Sequence, residues 1–255
     1  MSGDGEFGML AGVLRTVEGA VAVNGARGKA QVEAISQFID EASRMGAEAG
    51  PLRGEVFRFG NAGVESALEG AIGRGTPVHL LADHAEAMPQ LAGVGAKGAN
   101  VASYGSRAGE DAALGAELCM HAKLWSRGDQ ALLPTASAAI GGEHQLNIGF
   151  RFSGDAARAA GNVTEAAMSG DRGRQLSTLA EARDAGLLFN EPSVGARFVD
   201  EGMALAIDNA KRDLSLVVKE FTVPSWAEKL VAAKARGVNV KVLTREMSPE
   251  VRTIL

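Results

Sequence analysis

A single cysteine, Cys119, stands in the 255-residue chain. One thiol closes no disulfide within the chain and builds no cysteine-based zinc site, so neither device holds this fold together. Aromatic residues are scarce at 5%. That leaves the core to Ala, Val, Leu and Ile and offers few platforms on which nucleic-acid bases could stack. No window reaches the ~18 consecutive apolar residues of a membrane span. The opening MSGDGEFGML lacks the basic region and long apolar run of a signal peptide, and a cytoplasmic protein is the default expectation. Positive charge is also in deficit. With 26 Lys and Arg against 31 Asp and Glu, the net charge is −5, which removes any global pull toward nucleic acid or anionic membrane.

What remains is an ordinary globular composition, 46% hydrophobic and 22% charged, with length enough to bury a substantial core. The 33 glycines carry no fixed period and read as turns and helix ends.

The chain repeats itself. Residues 54–83 lie over residues 216–245 at an offset of 162 without a gap. Identities fall at Phe59/Phe221, Leu68/Leu230, Ala71/Ala233, Arg74/Arg236, Gly75/Gly237, Val78/Val240 and Leu81/Leu243. Each copy reads as strand, helix, Arg-Gly, strand. In the second, LSLVVKEF is a β-branched run, Pro224 opens a helix at a position that tolerates proline, and Gly237 stops it. VNVKVLT then alternates as a strand does. Such βαβ units imply parallel strands with right-handed crossovers and hence an α/β sandwich. A helical segment precedes each copy, at 30–46 and 202–213. The expected organisation is an N-terminal helical segment (1–50), a first lobe (51–158), a connection (159–195) and the start of a second lobe (196–255). The same offset carries His121 to 283, past Leu255, so the second lobe is expected to be only begun here.

Chemistry concentrates in CMHAKLWSRGDQALLPTASAA, residues 119–139. AELCMHAKLW and ALLPTAS can pair as strands across an SRGDQ turn. Alternate strand residues share a face, so His121 and Lys123 point one way and Thr135 and Ser137 share a face of the partner strand. An imidazole, an ammonium and two hydroxyls together suit a phosphoryl group: lysine supplies charge, hydroxyls donate hydrogen bonds, and histidine attacks phosphorus or moves a proton. The plainer alternative is that these residues line the wet face of an antiparallel sheet.

From about residue 51 onward the sequence resembles the phospholipase D superfamily. Its signature is H-x-K, an Asp after four residues, and a G-S-x-N segment, set in a tandem repeat of the kind found here; NIGFRF (147–152) resembles the strand that follows the motif. The resemblance implies an α/β/α sandwich with a mixed, mostly parallel sheet and a truncated second lobe. It implies two H-x-K motifs facing one site, supplied by the second lobe in cis or by a homodimer. One histidine forms a phosphohistidine and the other protonates the leaving group, without metal or other cofactor. His121 would be one of those histidines and Lys123 a phosphate ligand, with Asp129 the motif aspartate. Thr135 would replace the motif serine, Ser137 its asparagine, and Asn147 stands where the family often has an acidic residue orienting the histidine. The substrate is a phosphodiester, either a phospholipid or nucleic acid. Asp129 follows Lys123 after five residues and PTAS replaces G-S-x-N, which motivates an inactive, scaffold-like alternative beside the phosphodiesterase or phosphatidyl transferase, with a nuclease as a further one.

Other residues read more plainly. His79 is expected to be a hydrogen-bonded structural histidine, Trp125 and Trp226 packing residues, and Glu220 either a cleft residue or the partner of a neighbouring lysine. Asp83 with His84 at a strand end, and His144 in a Gly-rich loop, are weaker candidates. GAIGRG and GVGAKG lack the strand-then-helix setting of a nucleotide loop.

Overall fold

A computed structural model describes residues 21–25, 28–83, 86–104, 122–134, 137–139, 147–191 and 194–255. His84, Cys119, His121, Thr135 and His144 lie outside them.

The described residues form two compact units. The larger holds a seven-stranded sheet. Its elements begin with β1 (Val21–Gly25) and α1 (Gly28–Ala42), followed by β2 (Leu52–Val56), α2 (Ala62–Gly73), β3 (Val78–Asp83), α3 (Met88–Ala96) and β4 (Asn100–Tyr104). They continue with β5 (Leu124–Arg127), β6 (Gln130–Leu133), β7 (Asn147–Ser153), α4 (Asp155–Ser169) and α5 (Arg172–Asp184). A ribbon of β8 (Asn190–Glu191) and β9 (Ala196–Arg197) comes next.

Spatial order is β1-β7-β6-β5-β2-β3-β4. The sheet is mixed. Only β2–β3 and β3–β4 are parallel; the other four neighbouring pairs are antiparallel. The expectation of a mostly parallel sheet therefore holds for the βαβ part alone. The two-residue turn after β5 can return the chain only antiparallel, and β7 continues that sense.

Helices cover both faces. Val32, Ile35, Phe38, Ile39 and Ala42 recur at helical spacing on α1 and are all buried. They join α2 and α3 in a core against Leu52, Val56, Val78, Leu80, Trp125 and Leu132. Gly54 makes room for that core: a Cβ there would come within 2.7 Å of the Trp125 ring and 2.9 Å of Leu80. The opposite face lies under α4, whose buried side is small (Ala156, Ala157, Ala160, Gly161). Residues 159–184, expected inside a connection, are thus helices of this unit: the rest of α4, then α5.

The smaller unit comprises residues 188–190 and 197–255. It contains α6 (Phe198–Asn209), β10 (Asp213–Phe221), α7 (Pro224–Ala235), β11 (Asn239–Met247) and α8 (Pro249–Ile254). β10 and β11 pair in parallel, as the repeat requires. Ile207, Phe221, Ala227, Leu230, Ala233, Val238 and Val251 form its core, with Trp226 packed against it.

The repeat is visible in atoms. Gly75 and Gly237 both adopt the left-handed backbone that ends a helix, with φ of 78° and 90°. The arginine before each reaches back to the end of the preceding helix. Arg74 donates to Ser43 Oγ and Asp40 Oδ1, and Arg236 to the carbonyls of Ile207 and Asp208. Guanidinium groups suit the carbonyl-rich, negative end of a helix.

Candidate functional site

The topology gathers residues at one edge of the large sheet. β2 and β3 run parallel and β5 runs against β2, so the start of β5 lies at the carboxyl ends of β2 and β3. In open α/β sheets this is the edge that receives ligands.

Lys123 immediately precedes β5. It is only 8% exposed, and its Nζ lies 5.1 Å from the centroid of the Phe57 ring, just past the end of β2. Ser137 belongs to the same edge. Its neighbour Ala138 bridges to Phe59 and accepts a hydrogen bond from Asn61 N at 3.2 Å, which ties the chain after β6 to the chain after β2. Asn147 opens β7, antiparallel to β6, and so stands at that edge as well. Asp83 ends β3, buried, its carboxylate accepting from Glu86 N at 3.1 Å.

Asp129 is elsewhere. It sits exposed in the β5–β6 turn, where its carbonyl accepts from Gly154 N at 2.9 Å and its carboxylate from Gln130. The whole of β5 separates it from Lys123, ~15 Å of chain at strand rise. Its place in the turn follows from the Gly-Asp dipeptide, Gly128 supplying φ of 57°.

Sequence reasoning passed over Glu55, on β2. It is 4% exposed and takes a hydrogen bond from Thr164 Oγ1 on α4 at 2.9 Å. Burial raises its pKa, the Thr164 bond lowers it and the charge of Glu191 raises it again, leaving it at about 7. Glu191 in turn accepts from Tyr104 Oη at 2.7 Å. The signal was in the repeat: Val217 occupies the corresponding position of the second copy.

The plainer readings hold. His79 Nδ1 lies 2.5 Å from Glu165 Oε1, which also accepts from Arg53 Nε at 3.0 Å. Trp125 is buried in the core. Glu220 pairs with Lys219 at 2.8 Å. Among the described residues no three His, Cys, Asp or Glu side chains are grouped to hold a metal ion, and no helix is long and apolar enough to cross a membrane.

No family model matches the sequence, and no curated protein matches it. Solved structures do. A polyphosphate kinase from Porphyromonas gingivalis superposes with a TM-score of 0.58 at 15% identity, over 89% of this chain and 34% of that one. A phosphatidylserine synthase from Haemophilus influenzae Rd KW20 gives 0.56 at 10% identity, over 90% and 62%. Nuc, a phospholipase D family member from Salmonella typhimurium, gives 0.41 at 14%, over 52% and 81%. The chain spans about a third of the kinase and under two thirds of the synthase. Its fold is shared with the matched parts of the kinase and the synthase.

Proposed function

We propose that the chain supplies His121 and Lys123 to a site that cleaves or transfers a phosphodiester through a phosphohistidine, without a metal. The observation that carries this reading is Lys123, a buried ammonium at the ligand-receiving edge of the sheet, with Ser137 and Asn147 brought to the same edge. A lysine so placed binds phosphate oxygens by charge-assisted hydrogen bonds, and His121 is two residues before it.

The chemistry balances simply. The imidazole nitrogen forms a bond to phosphorus as the bond to the leaving oxygen breaks, and that oxygen takes a proton from a second acid. Water or an alcohol then displaces the histidine. The names of the kinase and the synthase both point to transfer of phosphorus-centred groups, which accords with this reading. Asp129 plays no direct part in it, being held in the turn.

Release of nitrophenolate from bis(4-nitrophenyl) phosphate, without added metal, tests the assignment. His121→Ala is expected to lose at least about a hundredfold in rate, and rapid quenching of the wild type into alkaline denaturant to trap phosphate on histidine. Turnover unchanged by His121→Ala, or an active wild type that traps no phosphate on histidine, overturns it. No turnover by a protein that also carries the second histidine favours the scaffold reading.

A further inference from the structure

The two copies of the repeat are built alike but covered differently. β2 pairs with β3 as Arg53↔His79 and Glu55↔Leu81, and β10 pairs with β11 as Ser215↔Lys241 and Val217↔Leu243. These are the same positions at the offset of 162. Alternate strand residues share a face, so each set of four lies on one side of its parallel pair.

In the larger unit α4 covers that side. Glu165 accepts from Arg53 Nε at 3.0 Å and lies 2.5 Å from His79 Nδ1, and Thr164 donates to Glu55 at 2.9 Å. Leu81 is 3% exposed. Small residues let the helix come close: a Cβ on Gly161 would stand 3.3 Å from Arg53 Nη1. In the smaller unit the core of α6, α7 and α8 takes the opposite side, against Leu214, Leu216, Val218, Val240 and Val242. The side that answers to α4 is open, with Val217 75% and Leu243 68% exposed. Parallel strands are ordinarily covered on both faces.

Charge narrows the choice of partner. Lys241 lies beside Val217 and Leu243 on the open side, with Lys219 and Arg245 toward its carboxyl end and Asp213 at the other. Lys219 and Arg245 pair with Glu220 and Glu246, while Lys241 has no ion pair among the described residues. Lys241 holds the position of His79, where α4 sets the Glu165 carboxylate. A second copy of this chain does not fit, because its open side brings the same cations and its α4 is engaged on its own sheet.

We infer that the open side of β10–β11 is a docking site for a helix from a different protein chain, lined with alanine and glycine like α4 and bearing an acid that meets Lys241. Val217 stands where Glu55 does and offers threonine no acceptor, so the residue before that acid is apolar. Such a helix buries Val217 and Leu243 and gives the parallel pair its second cover.

The probe is a peptide of residues 154–170 carrying Thr164→Val. It is stapled between positions 158 and 162, on the exposed side of α4, because a free helix of this length is marginal in water. It is titrated into the full chain while the Val217 and Leu243 methyl resonances are followed, assigned by Val217→Ala and Leu243→Ala. Both are expected to shift and saturate. Lys241→Glu should weaken binding about tenfold, the scale of turning an ion-pair attraction into a repulsion. A peptide that also carries Glu165→Lys should bind that variant and lose the wild type, a reversal that loss of fold cannot produce. No saturable shift, or shifts indifferent to both charge changes, overturn the proposal. Self-association of the full chain that Val217→Asp abolishes would show a second copy filling the face, and overturns it too. Shifts of the two methyls on phosphatidylglycerol vesicles but not on the peptide assign the face to a membrane, with the same result.

Discussion

His79 on β3 and Glu165 on α4 meet with Nδ1 and Oε1 2.5 Å apart. Arg53 on β2 reaches the same oxygen at 3.0 Å. One carboxylate thus ties a helix to two parallel strands, and its neighbour Thr164 makes a further tie to Glu55. The helix that covers the sheet face behind the candidate site is held by polar bonds at two consecutive residues, over an otherwise small, alanine-lined contact.

Glu165 makes that attachment sensitive to acid. Burial works to raise its pKa, but the hydrogen bond and charge of His79 and those of Arg53 prevail and hold it below 4.5. A carboxyl depressed in the folded state adds stability above its unfolded pKa, and that stability is lost as pH falls through the folded value. Glu165→Gln is expected to cost about 1.5–3 kcal/mol at pH 7, the range for a hydrogen bond to a charged group, and to flatten the acid limb of stability against pH. Urea unfolding from pH 3 to 7 measures both. A variant as stable as the wild type at pH 7 would show that the three groups contribute nothing net.

Arg127 is a staple of another kind. Its guanidinium is 2% exposed as a residue. It donates to the carbonyls of Ala42 at 2.5 Å, Gly50 at 2.8 Å and Gly46 at 3.3 Å. These close the end of α1 and the chain leading into β2. Burial pushes its pKa down, opposed by the charge of Glu48. Arg127→Met would leave three carbonyls without this partner, and about 3 kcal/mol of stability should go with them. Arg127→Lys should recover only part, because an ammonium has no planar fork to span the three. Should the lysine variant unfold at the wild-type denaturant concentration, the fork geometry is irrelevant.

These two clusters also mark where reading the sequence stops. The βαβ repeat was legible because its signals are local: β-branched runs, Pro224 at a helix start, Gly75 and Gly237 at helix ends. The turn at Gly128–Asp129 was legible for the same reason. Arg127 was not, because its acceptors are backbone carbonyls 77 to 85 residues away and no side-chain pattern records them. β1 pairs with β7 more than a hundred residues on, and five residues of VAVNG carry too little pattern to announce it. α4 looked like a linker because its buried side is alanine and glycine, small enough to pass for a polar connection. Glu55 was overlooked as one carboxyl in a strand, although its contrast with Val217 was there to be seen.

Glu55 has a cost that stability can measure independently of any ligand. Its pKa rises from 4.5 to about 7 on folding, burial being the leading cause. Below pH 4.5 both folded and unfolded chains carry the proton, and Glu55 exacts nothing. Between 4.5 and 7 the unfolded chain releases the proton while the folded one keeps it, so stability falls as pH rises across that window and levels off above it. At ~1.4 kcal/mol per pKa unit the whole penalty is about 3 kcal/mol. Glutamine keeps the shape and an oxygen for Thr164 without the charge. Glu55→Gln should therefore match the wild type near pH 4.5 and exceed it by up to about 3 kcal/mol at pH 8, in urea unfolding at the two pH values. A gain that grows with pH would establish a buried carboxyl that costs stability when it ionises. Equal stability of the two proteins at pH 8 would mean that folding does not raise the pKa of Glu55.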